Sequence, residues 1–466
     1  MRIFLANLLW FFSTLPDTLR FARALRDPAK AQAAVARRRK PTAEADILLY
    51  EPTSGSTGGT KWIPYTDQLR REFMRAVNPW MASLYLRHPR LFFGSHYWSI
   101  SPRTQLPDER EGPRKGFAED REYLGAFRCA LTRALFPVTA AVADLHDPDE
   151  YLRQTARALV ASRQLGLISV WHPSSLLRIL AFAADHAEEL ASGKRAEWLK
   201  ARRFTDLWPR LTVISCWDAA FARADAERLR QLFPNVEIEG KGLMATEGVI
   251  SFPWFGQPVA AVTSHTLTFE TVDPASGEPV PGDRVTPDNL EIGKRYGVVL
   301  TTGNGFTDYR LGDVVECVGF VKRTPRLAFR YRGGGTVDLH GEKLHPAFVS
   351  GVLETLAAQA GPFRFAVLCP RLDRNGYRLL WEAETGGEPP AAEAVETLLC
   401  GNYHYTHARA LRQLEPVSVI PVRNGLETWC RALGLAESSA KPPALFRPSS
   451  EEGWKRIEQS YHAKRL

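Results

Sequence analysis

Alternating strand-like and helix-like segments between residues 147 and 239 constrain the fold most strongly. Short apolar runs at 167–170, 211–215 and 236–239 are separated by stretches with helical periodicity. Strands that are joined through helices usually lie parallel, because an antiparallel pair needs only a short turn. The sequence therefore predicts an α/β fold whose sheet in this region is largely parallel.

The N-terminal segment has helical periodicity over residues 1–40, and its first part is strongly apolar. The apolar run at 3–12 is too short to span a bilayer. Asp17, Arg20 and Arg23 follow it, where export signals avoid charge. We interpret the segment as a buried helix, with an interfacial membrane helix as the alternative. In both cases we expect no stable membrane insertion.

Further along, the pattern indicates one more long helix and then a change to strands. A helix is predicted over 66–86, where Thr66 can cap its first turn. From 258 to 331 short alternating runs are separated by Gly, Pro and Asp turns, which is typical of a β-rich subdomain.

A Gly-rich stretch at 332–335 is a hinge candidate, and strands mixed with helices follow it. We therefore expect a large N-terminal domain, residues 1–335, with mixed or parallel sheets and the β-rich subdomain. A smaller, mobile α+β domain would cover residues 336–466 and turn about 332–340.

Composition and charge exclude some classes of partner but do not identify the function. The chain has 466 residues, is 44% hydrophobic and carries a net charge of +8, which suits an anionic partner. Arg37–Lys40 is a basic cluster without interleaved aromatic residues, so we expect no nucleic-acid partner. The six cysteines form no CxxC motif, which predicts no zinc site and a reduced, cytoplasmic protein. A monomer is expected.

Residues 53–61, Thr-Ser-Gly-Ser-Thr-Gly-Gly-Thr-Lys, form a Gly/Ser/Thr-rich stretch after the apolar run 47–50. A strand followed by such a loop can aim backbone N–H groups, hydroxyls and one ammonium at a phosphate. It is not a Walker A loop, because Thr60 replaces the second Gly and Trp62 replaces the Ser/Thr that would hold magnesium. A flexible linker is the alternative interpretation.

Five stretches in this order resemble motifs of adenylate-forming enzymes. They are 53–61, Ala245-Thr246-Glu247, Tyr309-Arg310-Leu311-Gly312-Asp313, Gly341-Glu342-Lys343-Leu344 and Ser439-Ala440-Lys441-Pro442-Pro443. With the phrases at 168–174, 214–217 and 240–248, the closest resemblance is to the bacterial branch of the auxin-responsive Gretchen-Hagen family of acyl acid amido synthetases. The resemblance covers nearly the whole chain.

The resemblance implies a two-step ligase that uses ATP and Mg²⁺. The enzyme would activate a carboxylic acid to acyl-AMP and pass the acyl group to an amine, such as an amino acid, giving an amide. One alternative is transfer to a thiol, on coenzyme A or a carrier protein. A second alternative is a non-catalytic protein that binds a nucleotide or an acyl acid.

The resemblance also implies roles for individual residues. Lys441, Thr246 and Glu247 would be catalytic, with Glu247 as the magnesium ligand. Asp313 would hold the ribose, and Arg310 would hold phosphate or order Asp313. The remaining nucleotide contacts would come from Ser54, Gly55, Ser56, Thr57, Gly58, Lys61, Leu243 and Met244, the last two as an apolar wall for adenine.

Some residues have two interpretations that the sequence leaves open. His172 could line the acyl pocket or be a hydrogen-bonded structural histidine. Phe92, Phe93, Tyr97, Trp98 and Trp171 allow an aromatic or fatty acyl group, but core packing explains them equally well. Lys343 is a solvated loop lysine or a catalytic one.

Overall fold

The chain is described here by a computed structural model. It describes residues 1–39, 42–43, 46–54, 60–99, 131, 134–139, 141–142, 145, 147–219, 222–273, 279–332, 335–384, 387–433, 442–447 and 451–462. The chain divides into two compact units. The first consists of Met1–Glu51 and Trp62–Gly333, and the second of Pro52–Lys61 and Gly334–Leu466.

The first unit combines helices with parallel and antiparallel sheets. Its described helices are α1 (Arg2–Ala24), α2 (Pro28–Arg38), α3 (Asp67–Arg87), α4 (Pro148–Ala161), α5 (Pro173–Asp185), α6 (Ala187–Leu190), α7 (Lys194–Lys200), α8 (Phe204–Leu207) and α9 (Arg223–Leu232), with 3-10 turns at Pro89–Phe93 and Pro287–Asn289. Strands β1 (Ile47–Ser54) and β2 (Thr60–Thr66), whose residues are divided between the two units, pair with each other.

The predicted parallel sheet is confirmed. Strands β3 (Ser95–Trp98), β4 (Leu165–Ser169), β5 (Val213–Cys216) and β6 (Glu237–Gly240) pair in this order, each parallel to the next. The strands end together, so the residues after Ser169, Cys216 and Gly240 lie at one edge of the sheet. In open parallel sheets this edge is where ligands bind.

The predicted β-rich region is also confirmed, and it begins slightly earlier than expected. A small hairpin, β7 (Met244–Ala245) and β8 (Gly248–Val249), precedes it. Among the described residues, the antiparallel sheet has the order β12-β11-β13-β14-β15-β10-β9. Its strands are β9 (Ser251–Trp254), β10 (Gln257–Ala260), β11 (Thr266–Val272), β12 (Pro279–Val285), β13 (Arg295–Thr301), β14 (Tyr309–Val321) and β15 (Thr324–Arg332).

Local capping explains where the helices begin. Residues 1–39 form two helices, because the Asp27 carboxylate accepts a hydrogen bond from the Lys30 backbone N–H and starts α2. The predicted helix at 66–86 is observed, and the Thr66 hydroxyl accepts from the Leu69 N–H at 3.1 Å. Trp10 of α1 is fully buried, so this helix contributes to the core.

The second unit has a small mixed sheet with helices. Strand β16 (Phe363–Pro370) pairs antiparallel with β17 (Tyr377–Ala383), which pairs parallel with β18 (Ser418–Pro421). Its described helices are α10 (Pro346–Ala360), α11 (Ala392–Leu399), α12 (Tyr403–Ala410), α13 (Gly425–Leu433) and α14 (Glu451–His462). Phe365, Trp429 and Trp454 lie in its core. The fold class is therefore α/β with a smaller α+β part, as predicted.

Among the described residues, no helix combines the length and the apolar character that crossing a bilayer requires.

Candidate active site

The hairpin β7–β8 carries Thr246 and Glu247 at its turn. Two glycines are required around it. Gly242 has a φ of 74°, and a Cβ there would lie 2.6 Å from the Ser251 carbonyl oxygen. A Cβ on Gly248 would lie 2.9 Å from the His265 ring. The hairpin is therefore packed closely between neighbouring segments, which holds its turn in place.

Glu247 joins two of the motifs that are far apart in sequence. This residue is 4% exposed, and the Tyr309 hydroxyl donates to Glu247 Oε1 at 3.3 Å. The Tyr309 ring is stacked on Phe306 with 4.6 Å between the ring centroids. Residues 245–247 and the start of residues 309–313 thus meet in one unit.

Asp313 and Arg310 both lie on β14 but have different surroundings. Asp313 is buried and stands opposite Arg332 of β15 in the strand register. The Arg310 guanidinium forms an ion pair with Glu270 of β11, with Nε 2.9 Å from Oε2 and Nη2 2.9 Å from Oε1. Gly297 of the intervening strand β13 stands opposite Glu270.

The lowered pKa of Glu270 shows that its hydrogen bonds and the neighbouring arginines outweigh the effect of burial. Burial raises the pKa of the carboxyl, but the hydrogen bonds from Arg310 and from the Gly282 N–H, with the charges of Arg310 and Arg284, lower it below its ordinary value. Glu270 is therefore ionised at neutral pH, and Arg310 ties β14 to β11. The predicted contact of Arg310 with phosphate stays a prediction.

Glu72 and Gly303, which sequence analysis missed, connect the segment after the Gly/Ser/Thr loop to the segment before Tyr309. The Gly303 N–H donates to Glu72 Oε2 at 2.9 Å, and the Thr66 hydroxyl donates to the Gly303 carbonyl at 2.7 Å. Burial raises the pKa of Glu72 to about 7, against the hydrogen bonds from Gly303 and Gln68. The sequence carried no local signal for this contact, because the two residues lie 231 positions apart.

Lys241 is a second residue that sequence analysis missed. It follows β6 at the ligand-binding edge of the parallel sheet and is 5% exposed. Its Nζ donates to the Ser169 hydroxyl at 2.6 Å and lies 5.1 Å from the Trp80 ring and 5.3 Å from the Trp171 ring. A buried cation between two indoles is costly to desolvate unless its surroundings stabilise it. Its place directly after a strand end was the signal.

The structure gives structural roles to two of the residues with open interpretations, His172 and Trp98. His172 is the N-cap of α5: its Nδ1 accepts from the Ser174 N–H at 3.2 Å, which is the structural role. Trp98 lies in the core, with its ring 6.0 Å from Trp10 and 5.9 Å from Trp80.

Leu243 and Met244 pack against the same core, and Met244 is buried. Their predicted contact with adenine stays a prediction.

Five of the predicted site residues lie outside the described part of the chain: Gly55, Ser56, Thr57, Gly58 and Lys441. Only the backbone is described for Ser54, which ends β1, and for Lys61, in β2. Their predicted roles stay predictions.

In the second unit, Glu342 of the stretch 341–344 has a clear structural role. It is fully buried and accepts from the Leu339 N–H at 2.7 Å, the His340 N–H at 2.8 Å and the Tyr377 hydroxyl. Burial and the charge of Asp338 raise the pKa of Glu342 to about 7. Lys343, beside it, is half-buried with a φ of 46°.

Comparison with known proteins identifies two family domains. The GH3 family N-terminal domain matches residues 43–203, and the GH3 family central domain matches residues 262–332. A probable indole-3-acetic acid-amido synthetase GH3.1 of Oryza sativa subsp. japonica is 26% identical over 54% of this chain and 45% of its own length. Indole-3-acetic acid-amido synthetase GH3.10 of Arabidopsis thaliana is 30% identical over 31% of this chain and 26% of its own. The matches thus span less than half the length of these curated relatives.

Solved structures share the fold. A GH3.15 acyl acid amido synthetase in complex with 2,4-DB superposes with a TM-score of 0.54 at 16% identity, covering 89% of this chain and 82% of that one. At this identity the likeness concerns the fold. The two matched domains contain the first and third motifs, so the chain is similar to the GH3 (Gretchen-Hagen) family over residues 43–203 and 262–332.

Proposed function

We propose that this protein activates a carboxylic acid with ATP to an acyl adenylate and transfers the acyl group to an amine, giving an amide. The observation that carries the proposal is the contact between Glu247 and Tyr309, which brings two adenylation-like motifs together in one site. The names of the GH3 relatives, which are amido synthetases, support the second half-reaction.

The residues present fit a nucleotide with magnesium. Glu247 offers a carboxylate, which is the ligand type that Mg²⁺ accepts beside substrate phosphates. Bound there, the cation would neutralise phosphate charge as pyrophosphate leaves. Thr246, in the same turn, can donate its hydroxyl to a phosphate oxygen, and Asp313 can accept from ribose hydroxyls. Catalysis in such a site is mostly positioning and charge stabilisation.

The acyl acid would bind at the carboxyl edge of the parallel sheet. Lys241 offers a cation there, and Trp80 and Trp171 offer apolar ring faces. We expect Lys241→Met to raise the KM for the acid while the KM for ATP stays within about twofold. A general loss of folded enzyme would instead lower kcat and leave both KM values unchanged.

The first half-reaction is tested by exchange of labelled pyrophosphate into ATP with a panel of carboxylic acids. Exchange that depends on an acid supports the proposal, and absence of exchange with every acid refutes it. The second half-reaction is tested by adding amino acids, other amines or coenzyme A to the productive acid. An amide product supports the proposal, whereas a thioester would replace it with the thioester-forming alternative.

Lys441 remains part of the proposal. We expect Lys441→Ala to abolish exchange while ATP binding is largely retained, because this lysine would neutralise charge that builds up in the transition state. Lys455→Ala, at an exposed position of α14, is the matched control and should exchange normally. Equal loss of exchange and ATP binding in Lys441→Ala would assign the lysine a binding or structural role.

The domain boundaries at 335 and 336, the turn about 332–340, the bacterial branch, the cytoplasmic location and the monomeric state belong to the same proposal. Size-exclusion chromatography with light scattering tests the last of these.

A further inference from the structure

Helix α1 presents an apolar stripe to solvent. Leu5, Leu9, Phe12 and Leu19 are each 50–56% exposed. At 100° per residue these four positions fall within roughly 80° of the helix circumference and extend over about 21 Å. Met1 and Phe93, whose ring is stacked on Phe4, are also exposed. These six are more than half of the eleven large apolar residues that are exposed in the described part of the chain.

The opposite face of α1 makes specific contacts with the core, so the helix is held in an orientation that leaves the stripe exposed. The Asn7 amide donates to the carbonyls of Leu91 and Gly94 at 3.1 and 3.0 Å, and the Tyr85 hydroxyl donates to Asn7 Oδ1 at 2.6 Å. Trp10 is completely buried. Rotating the helix to bury the stripe would break these contacts, so the stripe stays exposed in the folded protein.

Arginines surround the stripe at its ends and along one edge. On the helical wheel Arg2 and Arg20 fall beside the apolar residues, and Arg23 lies in line with them one turn beyond Leu19. Asp17 is the single acidic residue of α1, and it forms an ion pair with Arg20. Apolar and aromatic side chains in a narrow stripe, flanked by arginine, match a helix that lies in the plane of a membrane surface.

We propose that this face of α1 binds reversibly to an anionic lipid surface, with the stripe at the boundary between headgroups and acyl chains. Charge favours lipid over a second copy of the chain. A two-fold symmetric contact through the stripe would bring Arg2, Arg20 and Arg23 of both copies to the same interface. Anionic headgroups instead offset these charges, and the net charge of +8 adds to the attraction.

The test is co-sedimentation of the full chain with extruded vesicles of phosphatidylcholine alone or of phosphatidylcholine and phosphatidylglycerol in equal parts. We expect the partition coefficient to be about tenfold higher with phosphatidylglycerol and to fall as salt is raised. The double variant Leu9→Ser/Phe12→Ser should lose about tenfold or more in binding. Arg2→Gln/Arg23→Gln should weaken binding to the vesicles that contain phosphatidylglycerol and leave binding to the pure phosphatidylcholine vesicles unchanged.

The matched control is Val280→Ser/Ile292→Ser, which removes two exposed apolar side chains from other parts of the same unit. It should bind vesicles like the wild type, and all variants should keep the wild-type circular dichroism and unfolding midpoint. Absence of vesicle binding overturns the proposal, as does equal loss in the control. So does a wild-type dimer that Leu9→Ser/Phe12→Ser converts to a monomer, because the stripe would then be a protein interface.

Discussion

Replacing Glu247 by Gln should reduce acid-dependent pyrophosphate exchange far more than replacing its hydrogen-bond donor, Tyr309, by Phe. Tyr309→Phe removes the hydrogen bond between the hairpin turn and β14 and leaves the carboxylate in place. Glu247→Gln removes the negative charge but keeps a side-chain oxygen that can accept from the Tyr309 hydroxyl. The pair of variants therefore separates a magnesium-binding role of Glu247 from a merely structural one.

The magnitudes follow from the geometry. The Tyr309–Glu247 distance of 3.3 Å is long for an O–H···O hydrogen bond, so its loss should cost about 0.5–1 kcal/mol, or two- to fivefold in rate. Losing a charged group that acts on the phosphates should cost about 3–4 kcal/mol, or 10²- to 10³-fold. The expected ratio between the two variants is thus at least about twentyfold.

The assay is the exchange rate at saturating acid and ATP, measured across a magnesium titration. Glu247→Gln should need a higher magnesium concentration, and Tyr309→Phe should not. Glu316→Gln is the matched control, because Glu316 is a carboxylate of the same unit that lies on β14 and pairs with Arg330, away from the hairpin turn. Similar losses in Glu247→Gln and Tyr309→Phe, with an unchanged magnesium requirement, would refute the magnesium-binding role.

Three further changes test the physical basis of the site. Gly242→Ala should destabilise the protein by about 2–3 kcal/mol, because the added methyl group meets a backbone carbonyl and the residue must keep a positive φ. Gly293→Ala, where the added methyl group meets no atom within 4 Å, should cost only about 1 kcal/mol. Arg310→Gln should cost about 1–2 kcal/mol of stability at pH 7, because solvent around the half-exposed arginine weakens the ion pair. This cost should vanish at low pH as Glu270 becomes protonated. Burial lowers the pKa of His265 to about 3, so the folded protein keeps this histidine neutral. The free energy of unfolding is therefore unaffected by its titration above pH 6.5 and decreases as the pH falls below 6.5, where the unfolded chain binds a proton. Between pH 7 and 5 the wild type should therefore lose about 2 kcal/mol more than His265→Leu.

All three are measured by urea unfolding monitored by tryptophan fluorescence. Equal costs for the two glycine variants would show that the close approach to Ser251 is relieved without strain. A cost of Arg310→Gln that stays the same as the pH falls through the protonation of Glu270 would show that the pair is not electrostatic. Parallel pH profiles of the wild type and His265→Leu would mean that His265 is protonated in the folded state.

Much of the architecture could be predicted from the sequence, because it depends on local patterns. The periodicity of apolar residues predicted the parallel sheet and the β-rich region, and the Gly-rich stretch at 332–335 indicated a large and a smaller part. The Thr66 cap was predicted because a hydroxyl before a helix reaches the N–H three residues ahead. The likeness to the GH3 family was predicted as well, since it rests on short motifs in a fixed order.

The tertiary structure alone decided which distant groups meet. Glu72 and Gly303 lie 231 residues apart, and Lys241 lies 72 residues from Ser169, so no local pattern encodes either contact. The sequence predicted helix α1 but not its exposed face, because apolar residues occur all round its first half. Only the packing of Asn7 and Trp10 decides which side meets the core, since a helix that is apolar on every side has no intrinsic inner face.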